Sequence, residues 1–134
     1  MLNKIEHIGI AVKDITVSNQ LFTALLGVGP YKQESVDSEN VLTSFFQVGE
    51  SKIELLQATS PESSIAKFLE KNKEGIHHLA FEVSDIYAEI ERLKGLGFEM
   101  IHHQPKDGAD NKIIAFLHPK STNGVLIELC QDKG

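Results

Sequence analysis

The chain has 134 residues, of which 41% are hydrophobic, so we expect one compact domain with an ordinary core and no room for a separate cofactor-binding domain. A formal net charge of -6, with basic residues scattered along the chain, argues against nucleic acid and anionic membranes as partners. The single cysteine, Cys130, excludes an internal disulfide framework, and no apolar segment approaches the roughly 20 residues that span a bilayer. We therefore expect a cytoplasmic protein in which Cys130 is a packed core residue.

The first half of the chain predicts a βαβββ pattern. A β-rich strand at about residues 5–12 is followed by Asp14, a residue type that caps helix N-termini, and the helix after it ends near Gly27 and Gly29. Three strands are then predicted, at about residues 30–37, 41–49 and 51–58, with the hairpin turn at Gly49, Glu50 and Ser51.

The segment between the halves predicts a linker helix at about residues 61–73. Thr59, Ser60, Pro61 and Glu62 form a helix-opening sequence, and apolar residues with helical spacing come next. Gly75 ends this segment.

The second half repeats the order of elements. A strand at about residues 76–83 is followed by the capping residue Asp85, and the helix ends near Gly95 and Gly97. Three strands are predicted at about residues 98–103, 111–118 and 124–131, with a connecting loop from Pro119 to Gly124.

Two pairs of similar segments show that this repetition is an internal duplication. The residues from Ile5 to Ile15 match those from Ile76 to Ile86, and the residues from Lys52 to Gln57 resemble those from Leu126 to Gln131. We predict one domain over residues 1–134, built from repeats at about 1–59 and 75–134. The expected fold class is α+β, with tandem βαβββ modules that form a curved mixed sheet around a cleft.

Four polar residues occupy equivalent places in the two repeats. His7 and His78 have the same strand parity, and Glu54 and Glu128 lie in runs that are too apolar for a solvated carboxylate. Because an isolated buried carboxylate is costly, each must pair, protonate or bind a metal. The pseudo-twofold symmetry predicts that the four side chains converge on one divalent metal ion.

Mn, Co or Ni is favoured as the metal, because two imidazoles and two carboxylates suit an octahedral ion with two open positions, and Zn is the alternative. Taken singly, a histidine in a strand is more often packed or exposed than a ligand, and a glutamate is more often at a solvated edge. The joint recurrence of four residues favours ligation. His77 is the alternative to His78, but its parity differs from that of His7.

These motifs resemble those of the vicinal oxygen chelate superfamily over nearly the whole chain, and within it the methylmalonyl-coenzyme A epimerase branch. The resemblance rests on IEHIGIAVKDI, VGESKIELLQATSPESSIAKFLEKNKEGIHHLAFEVSDI and PKDGADNKIIAFLHPKSTNGVLIEL. It implies that His7, Glu54, His78 and Glu128 are metal ligands. It also implies an isomerase that interconverts (R)- and (S)-methylmalonyl-coenzyme A through a metal-stabilised enolate.

One departure from the branch concerns the base. Some members carry a non-ligand glutamate on the third strand, where this chain has Thr43, which cannot take a proton in that way. Our hypothesis is that Glu54 and Glu128 act as the catalytic carboxylates as well as ligands.

The coenzyme A phosphates need cationic contacts, for which the candidates are Lys106, Lys112 and Lys120, predicted in loops around the last strands. Surface lysines that serve solubility are the alternative interpretation.

Two other functions share this fold. A glyoxalase I would use the same ligand set on a glutathione hemithioacetal, but the HPKSTNG segment is not typical of that branch. A resistance protein that sequesters an antibiotic without catalysis would not need four buried ligands. A homodimer is expected by analogy with the superfamily.

Overall fold

The computed structural model describes residues 2–134, and the internal contacts divide the chain into two compact units. His7–His77 form the first unit, while residues 2–6 and His78–Gly134 form the second.

The elements follow the predicted order in each half, which confirms the α+β class. The strands are β1 (Leu2–Ala11), β2 (Lys32–Val36), β3 (Val41–Val48), β4 (Ser51–Ala58), β5 (Gly75–Val83), β6 (Lys106–Asp107), β7 (Lys112–Leu117) and β8 (Ile127–Asp132). The helices are α1 (Ile15–Leu26), α2 (Ser64–Lys71) and α3 (Ile86–Gly95), with short 3-10 turns at Asp37–Glu39 and Pro119–Ser121.

Within the first unit, the strand order is β2-β3-β4-β1, and β1 runs parallel to β4 while β3 is antiparallel to both of its neighbours. Within the second unit, the order β5-β8-β7-β6 repeats this arrangement, with β5 parallel to β8 and β7 antiparallel to both neighbours. The predicted duplication is therefore present in the strand pairing of each unit.

Helix α1 covers one face of the first unit's sheet. Phe22 and Leu26 of α1 pack against a buried cluster that includes Phe46 and Leu55. Because side chains alternate along a strand, residues such as His7 and Glu54 point to the opposite face. That second face also contains an apolar cluster of Ala11, Val41, Leu56 and Ile65, the last from α2.

Helix α3 has the same role in the second unit. Ile86, Ile90 and Leu93 pack against Leu129 and other residues from one face of the sheet. The opposite face holds Ala80, Ile114 and the fully buried Cys130, so Cys130 is a core residue as predicted.

Both sheet-covering helices begin with the same pair of polar contacts. Asp14 and Asp85 are the N-caps, and their carboxylates accept hydrogen bonds from backbone N–H groups of the first turn at 3.0 and 3.1 Å. Gln57 accepts a hydrogen bond from the N–H of Ile15, and Gln131 accepts one from the N–H of Ile86, both at 2.7 Å. A hydrogen bond therefore joins each helix start to the last strand of its own repeat.

The turns follow the predicted residues in most places. Gly27 ends α1 in the left-handed conformation (φ 76°), and Gly49 (φ 60°) lies in the hairpin between β3 and β4. The linker helix starts later than predicted, because the side chain of Ser63 caps it by accepting from the N–H of Ile65, and Pro61 lies in the preceding turn. Among the described residues, no helix is both long enough and apolar enough to cross a membrane.

The predicted strand at 98–103 is wrong. Only Met100 forms an isolated bridge to β7, and the edge strand β6 begins at Lys106. The reason lies at His102, because its Nδ1 atom accepts the backbone N–H of Phe116 at 3.1 Å, a bond that a neighbouring strand would make with a carbonyl. A side chain therefore interrupts the ladder at this point.

Candidate functional site

The first unit brings together His7 and Glu54. Glu54 pairs with Gly9 in the parallel β1–β4 register, which places the His7 side chain on the same face two residues away. The Nδ1 atom of His7 lies 3.0 Å from Oε2 of Glu54, and the two side chains are 5% and 7% exposed. Phe45, the partner of Glu54 on β3, is fully buried.

The second unit brings together His78 and Glu128 in the same way. Glu128 pairs with Ala80 of β5, which again places the histidine two residues along the parallel strand. The Nε2 atom of His78 lies 3.1 Å from Oε1 of Glu128, with exposures of 6% and 7%. The ring of Phe116, which pairs with Glu128 on β7, meets the His78 ring edge-on at 5.6 Å.

Each unit thus holds one buried imidazole–carboxylate pair on the face that its helix leaves uncovered. A buried carboxylate needs a nearby positive charge, which a protonated histidine or a metal ion supplies. Imidazole nitrogen and carboxylate oxygen are also the donors that divalent transition metals accept. The residues present fit a divalent ion, and the ligand role of the four side chains stays a prediction.

Thr43 lies on the same face of the first unit as Glu54. It is two residues from Phe45 on β3 and is 1% exposed. Its hydroxyl oxygen is buried and has no hydrogen-bond partner among the described residues. The position therefore holds no ionisable group, so a carboxylate base has to come from another residue.

Lys112 differs from its predicted place in a loop. It lies on β7, is 8% exposed, and its ammonium contacts Asp132 at 2.5 Å and Glu6, itself 3% exposed, at 3.9 Å. The sequence analysis did not predict this buried charge group, because its residues differ from the equivalent residues of the other repeat. In the alignment of the two repeats, His77 is the equivalent of Glu6. The strand registers likewise make Val41 the equivalent of Lys112. An isolated lysine in an apolar strand was the signal available.

Of the two other candidate lysines, one lies on a strand and the other in the predicted loop between β7 and β8. Lys106 is on the edge strand β6, opposite Ile114, which corrects its predicted place in a loop. Lys120 is in the Pro119–Ser121 turn, and its ammonium lies 2.9 Å from a carboxylate oxygen of Glu99. This neighbour holds the pKa of Glu99 below its usual value.

The remaining histidines have other surroundings. The ring of His77 meets Phe68 of α2 edge-on at 5.1 Å, in agreement with the parity argument that separated it from the predicted ligands. His102 binds the β7 backbone, and His118 accepts the N–H of Lys120.

The sequence matches the model of the Glyoxalase/Bleomycin resistance protein/Dioxygenase superfamily over residues 6–116. A similar curated relative is an ethylmalonyl-CoA/methylmalonyl-CoA epimerase from Cereibacter sphaeroides, 39% identical over 98% of this chain and 99% of that protein.

Solved structures are also similar. A hypothetical protein from Bacillus halodurans is 44% identical, with a TM-score of 0.95 over 98% of this chain and 95% of that chain. A methylmalonyl-CoA epimerase in complex with methylmalonyl-CoA and NH4+ is 31% identical, with a TM-score of 0.96 over 100% and 97% of the two chains.

Proposed function

The chain belongs to the Glyoxalase/Bleomycin resistance protein/Dioxygenase superfamily, and from that premise we propose that it is an epimerase that interconverts (R)- and (S)-methylmalonyl-CoA. The observation that carries this proposal is the match, over almost the full length of both chains, to relatives that are named for this reaction. The glyoxalase I reaction is the alternative, since it uses the same class of fold and ligands.

We propose one divalent ion per chain, held by His7, Glu54, His78 and Glu128. The two buried His–Glu pairs support this proposal, and the duplication in the sequence is the reason for assigning both pairs to a single ion and the whole of residues 1–134 to one domain. Mn, Co or Ni fits the two imidazoles and two carboxylates better than Zn does. When bound, the ion would supply Lewis-acid stabilisation of negative charge on a substrate oxygen.

The protein groups proposed to move the proton are Glu54 and Glu128. A carboxylate takes the proton from the carbon between the thioester and the free carboxylate, and the C–H electron pair passes into the enolate. Return of a proton to the opposite face of that carbon, from a second carboxyl group, inverts the centre. Thr43 offers no competing carboxylate on the face of Glu54, which supports this two-residue assignment.

Three further properties are part of the proposal. The sequence-based expectations of a cytoplasmic location and a homodimer are retained. Coenzyme A phosphates are assigned to Lys106 and Lys120 only, because Lys112 on β7 is buried.

Proton exchange on methylmalonyl-CoA in deuterated buffer tests the function directly. The metal-loaded protein should introduce deuterium at the epimerised carbon and interconvert the epimers, as read by mass spectrometry, and metal-stripped protein should not. A parallel assay with methylglyoxal and glutathione separates the alternative. Turnover of the hemithioacetal without deuterium uptake would assign the chain to the glyoxalase I reaction.

Conservative variants test the two carboxylates. Glu54→Gln and Glu128→Gln keep the side-chain shape and remove the base, so each should lower kcat by about 100-fold or more. Gln104→Ala, a change at an exposed residue of the second unit, is the control. Full activity of Glu54→Gln would refute the assignment of two carboxylates while leaving the epimerase proposal in place.

A further inference from the structure

Phe116 joins the His78–Glu128 pair to a segment that is not part of a strand. Its ring meets the His78 ring edge-on at 5.6 Å and lies 5.7 Å from the His102 ring, at an interplanar angle of 56°. On the backbone, the Nδ1 atom of His102 accepts the N–H of Phe116 at 3.1 Å, and the carbonyl of Phe116 accepts the N–H of Ile101 at 2.8 Å. Both polar backbone groups of Phe116 are therefore bonded to residues 101–102.

The direction of these two bonds determines how Phe116 faces β8. In an antiparallel ladder, the N–H and the carbonyl of one residue point to the same neighbouring strand. Since both groups of Phe116 point to residues 101–102, its pairing with Glu128 is of the non-hydrogen-bonded kind, in which the two side chains lie closest. The place of the Phe116 side chain beside Glu128 thus depends on bonds made at the other edge of β7.

The first repeat shows what is unusual in this arrangement. Phe45 is the equivalent of Phe116, because each pairs with the glutamate of its unit. Strand β2 lies beside Phe45 as a regular antiparallel neighbour and pairs Lys32 with it. Backbone pairing does not depend on the identity of the side chain, whereas the N–H of Phe116 is bonded to the side chain of His102. The residue type at position 102 therefore matters in a way that has no parallel in the first repeat.

We propose that His102 is a positioning residue for the His78–Glu128 pair and that it acts through Phe116. This inference rests on the proposed function, which makes the pair one half of the metal site. Loss of the His102 bond leaves the N–H of Phe116 without its acceptor, and the Phe116 ring is then no longer held against the His78 ring. Outer residues that orient metal ligands change metal affinity or activity by about 10- to 100-fold when they are replaced.

Two replacements of similar size separate the acceptor atom from the bulk of the side chain. In His102→Asn, Oδ1 takes about the place of Nδ1 and accepts the N–H of Phe116, whereas His102→Leu has no acceptor. The leucine variant should lower both the affinity for cobalt and kcat by about 10-fold with little change in KM, because ligand orientation and not coenzyme A binding is affected. The asparagine variant should stay within about threefold of the wild type in both.

Ser121→Ala is the matched control. The Oγ atom of Ser121 accepts the backbone N–H of Glu99 at 2.9 Å, so this variant also removes a side-chain acceptor from a backbone N–H of the same unit. It should leave the affinity for cobalt and kcat unchanged. Circular dichroism gives the Tm of each variant, and all other measurements are made well below it. His102→Ala, which also lacks an acceptor, takes the place of a leucine variant that does not fold.

Amide hydrogen exchange in the metal-free protein gives a readout that needs neither metal nor substrate. By NMR, the N–H of Phe116 should exchange slowly in the wild type and in His102→Asn, and at least about 10-fold faster in His102→Leu. In Ser121→Ala, the N–H of Glu99 should exchange faster instead, while that of Phe116 keeps its wild-type rate.

The outcomes separate this inference from the proposed function. A His102→Leu protein with wild-type cobalt affinity and kcat would overturn the positioning role, whatever its Tm. Equal losses in the leucine and asparagine variants would overturn the assignment to the Nδ1 bond. A wild-type chain that binds cobalt without epimerising the substrate would overturn the reaction alone, because the cobalt affinities of the variants still decide the role of His102. A wild-type chain that binds no cobalt would overturn the ligand set and this inference together.

Discussion

At the scale of single residues, the second unit contains a buried charge group beside its apolar core. Glu6 and Lys112 are 3% and 8% exposed, and Asp132 contacts the same ammonium from a more exposed place. Removing the cation from such a group leaves a buried carboxylate whose charge the cation no longer balances. The resulting loss of folding free energy exceeds what the ion pair itself contributes.

We therefore expect Lys112→Met to lower the free energy of unfolding by about 2–3 kcal/mol in urea denaturation. Adding Glu6→Gln to this variant should restore about 1 kcal/mol, because the buried side chain of residue 6 then carries no charge that the lysine would have balanced. Lys133→Met, which removes an exposed pair with Asp107, is the control and should cost less than about 1 kcal/mol. Additive costs of Lys112→Met and Glu6→Gln would show that the two residues act separately.

The sequence singled out the four residues of the His–Glu pairs, as candidate ligands of one metal ion, but not this charge group, and the difference has a physical cause. A histidine and a glutamate occur at matching strand positions in both repeats, as His7 and Glu54 and as His78 and Glu128. The match between the repeats therefore supported the choice of these residues. Glu6 and Lys112 have no counterparts, and they are far apart in the chain. Their contact depends on tertiary structure, which local periodicity does not encode.

At the scale of elements, the starts of α1 and α3 were predicted from Asp14 and Asp85, because N-capping is a local interaction. The edge of the second unit was not predicted correctly. The segment from 98 to 103 has the residue types of a strand, but at His102 a side-chain nitrogen accepts the hydrogen bond from the backbone of β7. The tertiary bonds from Gln57 and Gln131 were likewise outside local reasoning, although both glutamines stood in the repeated segment.

These glutamine bonds give a prediction with its own internal match. Gln57→Ala and Gln131→Ala each remove the acceptor for the first N–H of a helix, so each should destabilise the protein by about 1 kcal/mol. Thermal denaturation followed by circular dichroism measures both. The exposed Gln104→Ala should cost less than about 0.5 kcal/mol. A negligible effect at either position would mean that solvent replaces the glutamine at that helix start.

At the scale of the whole molecule, the duplication leaves a choice between one shared metal ion and one ion for each half. Two donors from one unit hold a divalent ion weakly, whereas four donors give the affinity of a dedicated site. The proposed single ion therefore makes each unit's histidine necessary for binding by the entire chain. Two independent ions would make each histidine necessary for only half of the bound metal.

Metal titration with His7→Ala and His78→Ala decides between these cases. For the wild-type chain we expect one equivalent of Co or Mn by elemental analysis after dialysis. Free metal at 100 times its Kd should stabilise the fold by about 2.7 kcal/mol, a rise of roughly 10 °C in Tm. Either histidine variant should lose the bound ion and this shift almost completely, while His103→Ala, at an exposed position, should retain both. If each variant instead kept half of the metal bound by a two-equivalent wild type, each His–Glu pair would be a separate site, and the shared role of Glu54 and Glu128 in one reaction would have to be abandoned.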